Sequence, residues 1–298
     1  DASNSSTGQY SYNWTASNGG TIDDLSDPLA PVISNPGTYN LTVTNNLNGC
    51  TAITSVIVTE NVNKPSVAIA PAGLLTCTTN FLNLDGNGSS TGANFTYLWT
   101  TTGGQITAGS TTLSPTISKP GTYVLTVKNT QNGCTQSANV VVSQNTTPPN
   151  AVASVPNELT CINKTVTLSG VGSQAGTGIS YLWTTNNGNI LSGNTTLSPV
   201  VNAVGNYVLT VLNATNGCTA SQSLTVTQNV ALPTADAGNP VELTCSLPTA
   251  TLTGTASAQT SVLWTAQPGN ILSGSSTLTP TVNVAGTYTM TVTNLGNG

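Results

Sequence analysis

Six cysteines fall into two series. Cys50, Cys134 and Cys218 each follow an Asn-Gly pair. Cys77, Cys161 and Cys245 each follow Leu-Thr. Within either series successive members lie 84 residues apart. Zinc would need thiolates gathered as Cys-x-x-Cys or mixed with imidazoles; the chain has no such spacing and no histidine. Two cysteines per small repeated unit point instead to disulfides, the chemistry of an oxidising, extracellular setting.

Little else is equipped for chemistry. Hydrolysis at neutral pH usually calls on a general base such as histidine, which is lacking, and the acids do not recur as a pair. Glu158 and Glu242 share a repeat position that Leu74 fills in the preceding copy. Asp23, Asp24 and Asp27 form the one acidic cluster and are a weak calcium candidate. The matching stretch of the next copy begins Thr107-Ala108, so no array of such sites is expected. Lys64, Lys119, Lys128 and Lys164 occupy four different repeat positions, which argues against a recurring lysine–asparagine cross-link. No catalytic residue and no cofactor is expected. Four Lys/Arg against nine Asp/Glu leave no basic patch for nucleic acid.

The elements that would position the cysteines repeat with them. Gly-Thr-Tyr-Val-Leu-Thr-Val at 121–127 has counterparts at 37–43, 205–211 and 286–292, with Tyr39, Tyr123, Tyr207 and Tyr288 spaced 84, 84 and 81 residues apart. Tyr, Leu or Met, and Val alternate with polar or small residues, the period of a strand with one buried face. Trp14, Trp99, Trp183 and Trp264 mark a second recurring strand. Even offsets place Tyr12, Tyr97 and Tyr181 on the tryptophan face, so the aromatics read as core and not as a sugar-binding platform; Phe81 alone is left over. Asn-Gly pairs read as tight hairpins whose two residues accept positive φ. Short strands are expected at 66–70 and 151–154, after proline-containing linkers at Lys64-Pro65, Pro148-Pro149 and Leu232-Pro233. About seven short strands per copy, with turns every 8–12 residues and no helical pattern, predict an all-β, immunoglobulin-like sandwich. The copies divide as 1–63 (partial), 64–147, 148–231 and 232–298 (partial). Both ends fall inside a copy, so the sequence reads as a window on a longer chain.

The order Leu-Thr-Cys, Tyr-x-Trp, Gly-Thr-Tyr-x-Leu-Thr-Val, Asn-Gly-Cys-Thr resembles the tandem Ig-like and PKD-like repeats of giant surface proteins of Bacteroidota secreted by the type IX system, of the gliding-adhesin or extracellular-filament type. The resemblance covers the whole sequence. It implies a stalk or adhesin at the cell surface.

Pole geometry ranks the disulfides. In such a sandwich Cys77 sits near the pole where the chain leaves its domain, and Cys134 at the opposite pole, one strand of roughly 23 Å away for about seven residues. Bonded cysteines need Cα atoms about 4.4–6.8 Å apart. An inter-domain bond from Cys77 to Cys218 therefore ranks first. The within-domain set, Cys77 with Cys134 and Cys161 with Cys218, remains open; Cys50–Cys77 is worst placed. On the first pairing Cys134 bonds upstream of Asp1 and Cys161 just beyond Gly298.

The expected function is a non-catalytic structural repeat region of an extracellular fibre, stalk or filament, associating with copies of itself through low-charge sheet faces and edges. The alternative is an adhesive module contacting surface glycans or another cell through the loops at 23–27 and 170–178. No run of about 18 apolar residues is present, so any membrane anchor is expected outside these residues.

Overall fold

The computed structural model describes all 298 residues and contains strands but no helix. The chain forms two compact units: residues 1–73 with 81–143, and residues 74–80 with 144–298. The fold is all-β, a series of immunoglobulin-like sandwiches joined by short proline-containing segments.

Each copy is built on one antiparallel pair. The tryptophan strands are Tyr10–Ser17, Phe95–Thr102, Ile179–Thr185 and Thr260–Ala266; the tyrosine strands are Gly37–Asn45, Gly121–Asn129, Gly205–Asn213 and Tyr288–Asn294. Their register sets each Trp opposite a Leu or Met: Trp14 with Leu41, Trp99 with Leu125, Trp183 with Leu209 and Trp264 with Met290. In the first three copies a return strand, Thr51–Val58, Thr135–Val142 or Cys218–Val226, adds to the far edge of the tyrosine strand. The last three copies also have a second sheet of three short strands, such as Val166–Thr167, Val200–Val201 and Ile190–Ser192.

The core lies between the sheets. In the third copy Trp183, Tyr207, Leu209 and Val211 pack with Val166, Leu168 and Val201. Trp14, Trp99, Trp264, Tyr39, Tyr123, Leu125 and Val127 are likewise buried. Tyr288 differs. It is half-buried, against the core position expected from the sequence.

Burying the polar tips of Trp and Tyr is tolerable only where each finds a partner. Trp99, Trp183 and Trp264 donate their indole N–H to the carbonyls of Thr112, Thr196 and Thr277 at 2.9, 3.0 and 3.0 Å. The Tyr123 hydroxyl donates to Lys119 O, four residues back, at 2.6 Å and accepts from Gln105 N at 2.9 Å. Tyr207 repeats this with Ala203 O and Asn189 N at 2.7 and 3.0 Å. This is the tyrosine corner of immunoglobulin-like sandwiches. It explains two glycines: a Cβ on Gly104 would lie 2.4 Å from the Tyr123 hydroxyl, and one on Gly121 would lie 2.5 Å from Gly104 N.

The expected first strand is reduced. Residues 66–70 form no strand, and 151–154 contribute a single bridge, Ser154 with Ser169. A serine hydroxyl takes over the pairing. Ser89 Oγ accepts from Ala68 N at 3.0 Å and donates to Ala68 O at 3.1 Å; Ser173 does the same for Val152 at 2.9 and 3.1 Å.

Trp183→Ala should cost the third copy about 3–5 kcal/mol, read as lost hydrogen-exchange protection at the amides of Val208 to Thr210, which reports that copy's local stability. Leu182→Ala, on the 46% exposed neighbour, should change it by no more than about 0.5 kcal/mol. Equal effects would overturn the assignment of strand faces.

Candidate functional site: a clamped turn and its disulfide

The most elaborate polar constellation lies in the second unit, in the loop from Asn213 to Cys218. Gly217 N–H closes the loop on Asn213 O at 2.8 Å, with φ +69° at Gly217. Of the Asn-Gly pair only the glycine is left-handed, which corrects the two-residue hairpin expected from the sequence. The loop is longer, and the asparagine is there for its side chain.

Asn216 is 2% exposed. Its Oδ1 accepts from Cys218 N at 3.0 Å. Its Nδ2 donates to Asn145 Oδ1 at 3.0 Å and to Thr147 O at 2.9 Å, both in the segment that leads into this copy. Its main-chain carbonyl accepts from Cys77 N at 3.0 Å. Both amide protons and both carbonyl oxygens are thus engaged, as burial of a carboxamide requires.

Cys77 is brought here by the segment 74–80, which belongs to the second unit although residues on both sides of it belong to the first. Leu75–Thr76 pairs in parallel with Gln144–Asn145. Thr76 shapes the segment into a tight turn: its N–H bonds Thr79 O at 2.9 Å and its Oγ1 accepts from Thr79 N at 3.0 Å. Leu75 is buried and anchors it. Cys77 and Cys218 are joined, with S–S 1.99 Å and Cα–Cα 5.1 Å, across a sequence separation of 141. The alternatives Cys77–Cys134 and Cys161–Cys218 are not formed; Cys50, Cys134, Cys161 and Cys245 are free.

The clamp recurs. Asn132 donates to Asn61 Oδ1 and Asn63 O, both at 3.0 Å. Asn297 donates to Asn229 Oδ1 at 3.0 Å and Ala231 O at 2.9 Å. The receiving residues Asn61, Asn145 and Asn229 share the 84-residue period. That signal was present in the sequence, but the Asn-Gly pairs read there only as turn formers. Burial follows what lies over each turn: Asn48 is exposed and Asn132 half-buried, whereas Asn216 and Asn297 are buried beneath a Leu-Thr-Cys segment.

The other sequence candidates are not assembled into sites. Asp24 accepts from Ser26 N and Oγ at 2.7 and 2.9 Å, Asp27 from Leu29 N at 2.9 Å, and Asp23 from Ser34 Oγ at 3.1 Å. Asp24 and Asp27 serve their own turns and Asp23 reaches across to Ser34, and no group of three acids, histidines or cysteines is placed to hold a metal. The Ser26 backbone N–H, then its hydroxyl, hold the Asp24 carboxyl below its ordinary pKa. The loop 170–178 is tied to the segment before it through Ser173 and through Gln174 N to Asn150 O at 2.9 Å. Phe81, 53% exposed, stands alone among the aromatics in being mostly exposed.

No protein-family model matches the chain. Solved structures to which it is similar include immunoglobulin domains 1–5 of Sidekick-1, at 14% identity over 93% of this chain and 68% of that one, TM-score 0.28. The N-terminal eight Ig domains of Down Syndrome Cell Adhesion Molecule match at 12% identity over 97% and 43%, TM-score 0.30. Three N-terminal domains of the Hoc outer capsid protein of bacteriophage RB49 match at 14% identity over 75% and 78%, TM-score 0.28.

Two outcomes are expected of this site. Asn216→Ala should lower local stability by about 1–3 kcal/mol, since it strands the buried Cys218 N–H and releases the part-buried acceptors on Asn145 and Thr147. Hydrogen exchange at the Cys218 amide reads it. Replacing Cys77 and Cys218 together by Ala should cost about 2–5 kcal/mol in denaturant unfolding of the intact chain, an effect that reductant reproduces in the parent protein.

Proposed function

We propose that the chain is a non-catalytic, load-bearing stretch of a long extracellular fibre, stalk or filament, of the kind found in the giant type IX-secreted surface proteins of Bacteroidota that its repeats resemble. The domains are the copies 1–63, 64–147, 148–231 and 232–298. The observation that carries the proposal is the Cys77–Cys218 bond, which ties the Leu-Thr-Cys segment of one copy to the Asn-Gly turn of the next. Tension applied to the two ends runs from residue 77 to residue 218 through sulfur. The residues between, which include the cores around Trp99 and Trp183, then carry none of it. Such a bond belongs to an oxidising compartment, which supports an extracellular location.

Lateral association with copies of the chain is part of the proposal. With 4% charged residues two copies meet little electrostatic repulsion, and the return strand Thr51–Val58 presents an unpaired edge with Ile53 and Ile57 exposed. Unprotected edges favour strand addition. The adhesive alternative has less behind it, because the loops at 23–27 and 170–178 are held by their own hydrogen bonds.

Single-molecule pulling of the oxidised chain should show no lengthening from residues 78–217. Reduction should release roughly 460–500 Å of contour there, at about 3.3–3.6 Å per residue. Equal contour in the two states would refute the load-bearing role. Antibody labelling along fibres outside the cell tests the location, and intracellular label would sink it.

A further inference from the structure

Two Leu-Thr-Cys segments in the second unit lie over two Asn-Gly turns, and only one of them is bonded. The other, Leu159-Thr160-Cys161, lies over Asn297-Gly298 with matching geometry. Cys161 N donates to Asn297 O at 3.0 Å, as Cys77 N does to Asn216 O at 3.0 Å. Leu159–Thr160 pairs in parallel with Gln228–Asn229, as Leu75–Thr76 pairs with Gln144–Asn145. Gly298 N closes its loop on Asn294 O at 2.7 Å, against 2.8 Å for Gly217 on Asn213, and φ is +74° at Gly298 and +69° at Gly217. In both places the glycine backbone presses on the residue after the cysteine: a Cβ would come 2.4 Å from Thr78 at Gly217 and 2.1 Å from Ile162 at Gly298. Leu159 is buried in the third copy's core, so the segment is anchored.

Cys218 directly follows Gly217. The residue attached to the Gly298 carbonyl therefore stands to Cys161 as Cys218 stands to Cys77. We propose that Cys161 is a disulfide site whose partner is a cysteine carried directly after Gly298, completing an Asn-Gly-Cys turn like those ending at Cys134 and Cys218. The bond forms by exchange with a small-molecule disulfide. One cysteine thiolate attacks it and expels one small thiolate; the second cysteine thiolate attacks the resulting mixed disulfide and expels the other. Two protons leave the protein, and the small disulfide is reduced by two electrons. The inference rests on turn geometry and stands apart from the load-bearing role.

The test lengthens the 298-residue chain by a cysteine directly after Gly298 or, in a second version, two residues later. Each is equilibrated in oxidised glutathione with a large excess of reduced glutathione, which returns isolated cysteines to the thiol, followed by maleimide mass labelling and non-reduced peptide mapping. To the four free cysteines of the present chain each version adds a fifth. In the first version two labels should be lost, and the Cys161 peptide should be recovered joined to the added cysteine. In the second, all five labels should remain. If the added cysteine stays free in the first version, or bonds any residue other than Cys161, while tryptophan emission stays native, the proposal is overturned. The protein from its natural source gives the same decision: the Cys161 peptide should come joined to the peptide that contains Asn297-Gly298, and a free or differently paired Cys161 refutes it.

Discussion

The junctions in this structure depend on one constraint, the need to satisfy a buried carboxamide. Asn216 is wholly engaged by Asn145, Thr147, Cys218 and Cys77. Each bond contributes a net ~0.5–1.5 kcal/mol when made, while a buried group left unpaired costs more. The carboxamide therefore acts less by attraction than by exclusion, because any slip of the linker past the turn leaves it unsatisfied. All partners are neutral. In a chain with four Lys/Arg and nine Asp/Glu, register at the clamp is set without ion pairs and so is insensitive to salt.

The clamp works only if the turn is held still, and the core does that. The tyrosine strand that ends at Asn213 begins at Gly205, beside the tyrosine corner of Tyr207. Trp183 opposite Leu209 fixes the middle of the same strand. One strand thus runs from the buried hydroxyl at one end of the sandwich to the asparagine turn at the other. The same corner recurs in the last copy, where the Tyr288 hydroxyl bonds Val284 O and Asn270 N at 2.6 and 3.1 Å.

What was legible in the sequence follows from what generates periodicity. Alternation in 121–127 fixed the buried face because side chains in a strand have a period of two, and the Trp and Tyr spacings fixed the copies. The first strand misled because its sequence is strand-like while its ladder is interrupted: Ser89 and Ser173 satisfy Ala68 and Val152 from the side, between main-chain bonds such as Ala70 N to Asp85 O and Ser154 N to Ser169 O. A hydroxyl can replace a ladder bond without changing the pattern of the strand it interrupts. Asp23, Asp24 and Asp27 misled in the opposite way. Proximity in sequence gathered three carboxylates that the backbone then turned towards Ser34, Ser26 and Leu29. The asparagine clamp was written at 61, 145 and 229, and again at 132, 216 and 297. In a chain so rich in asparagine a recurring Asn carries little weight until its partner is seen.

The clamp and the disulfide divide the work by range. Hydrogen bonds from Asn216 and the parallel pair at Leu75–Thr76 act over a few ångströms and place the Cys77 and Cys218 Cα atoms 5.1 Å apart, inside the range a disulfide accepts. They are individually weak, and thermal opening of one junction costs only their sum. The covalent bond adds little that is local. Closing a separation of 141 residues removes disorder from the unfolded chain, worth about 2–5 kcal/mol, and it survives every opening of the clamp. A junction that opens while still bonded cannot separate far, so Asn145 and Thr147 remain close to the carboxamide they must find again. The weak neutral bonds supply the register, and the sulfur bridge keeps that register recoverable.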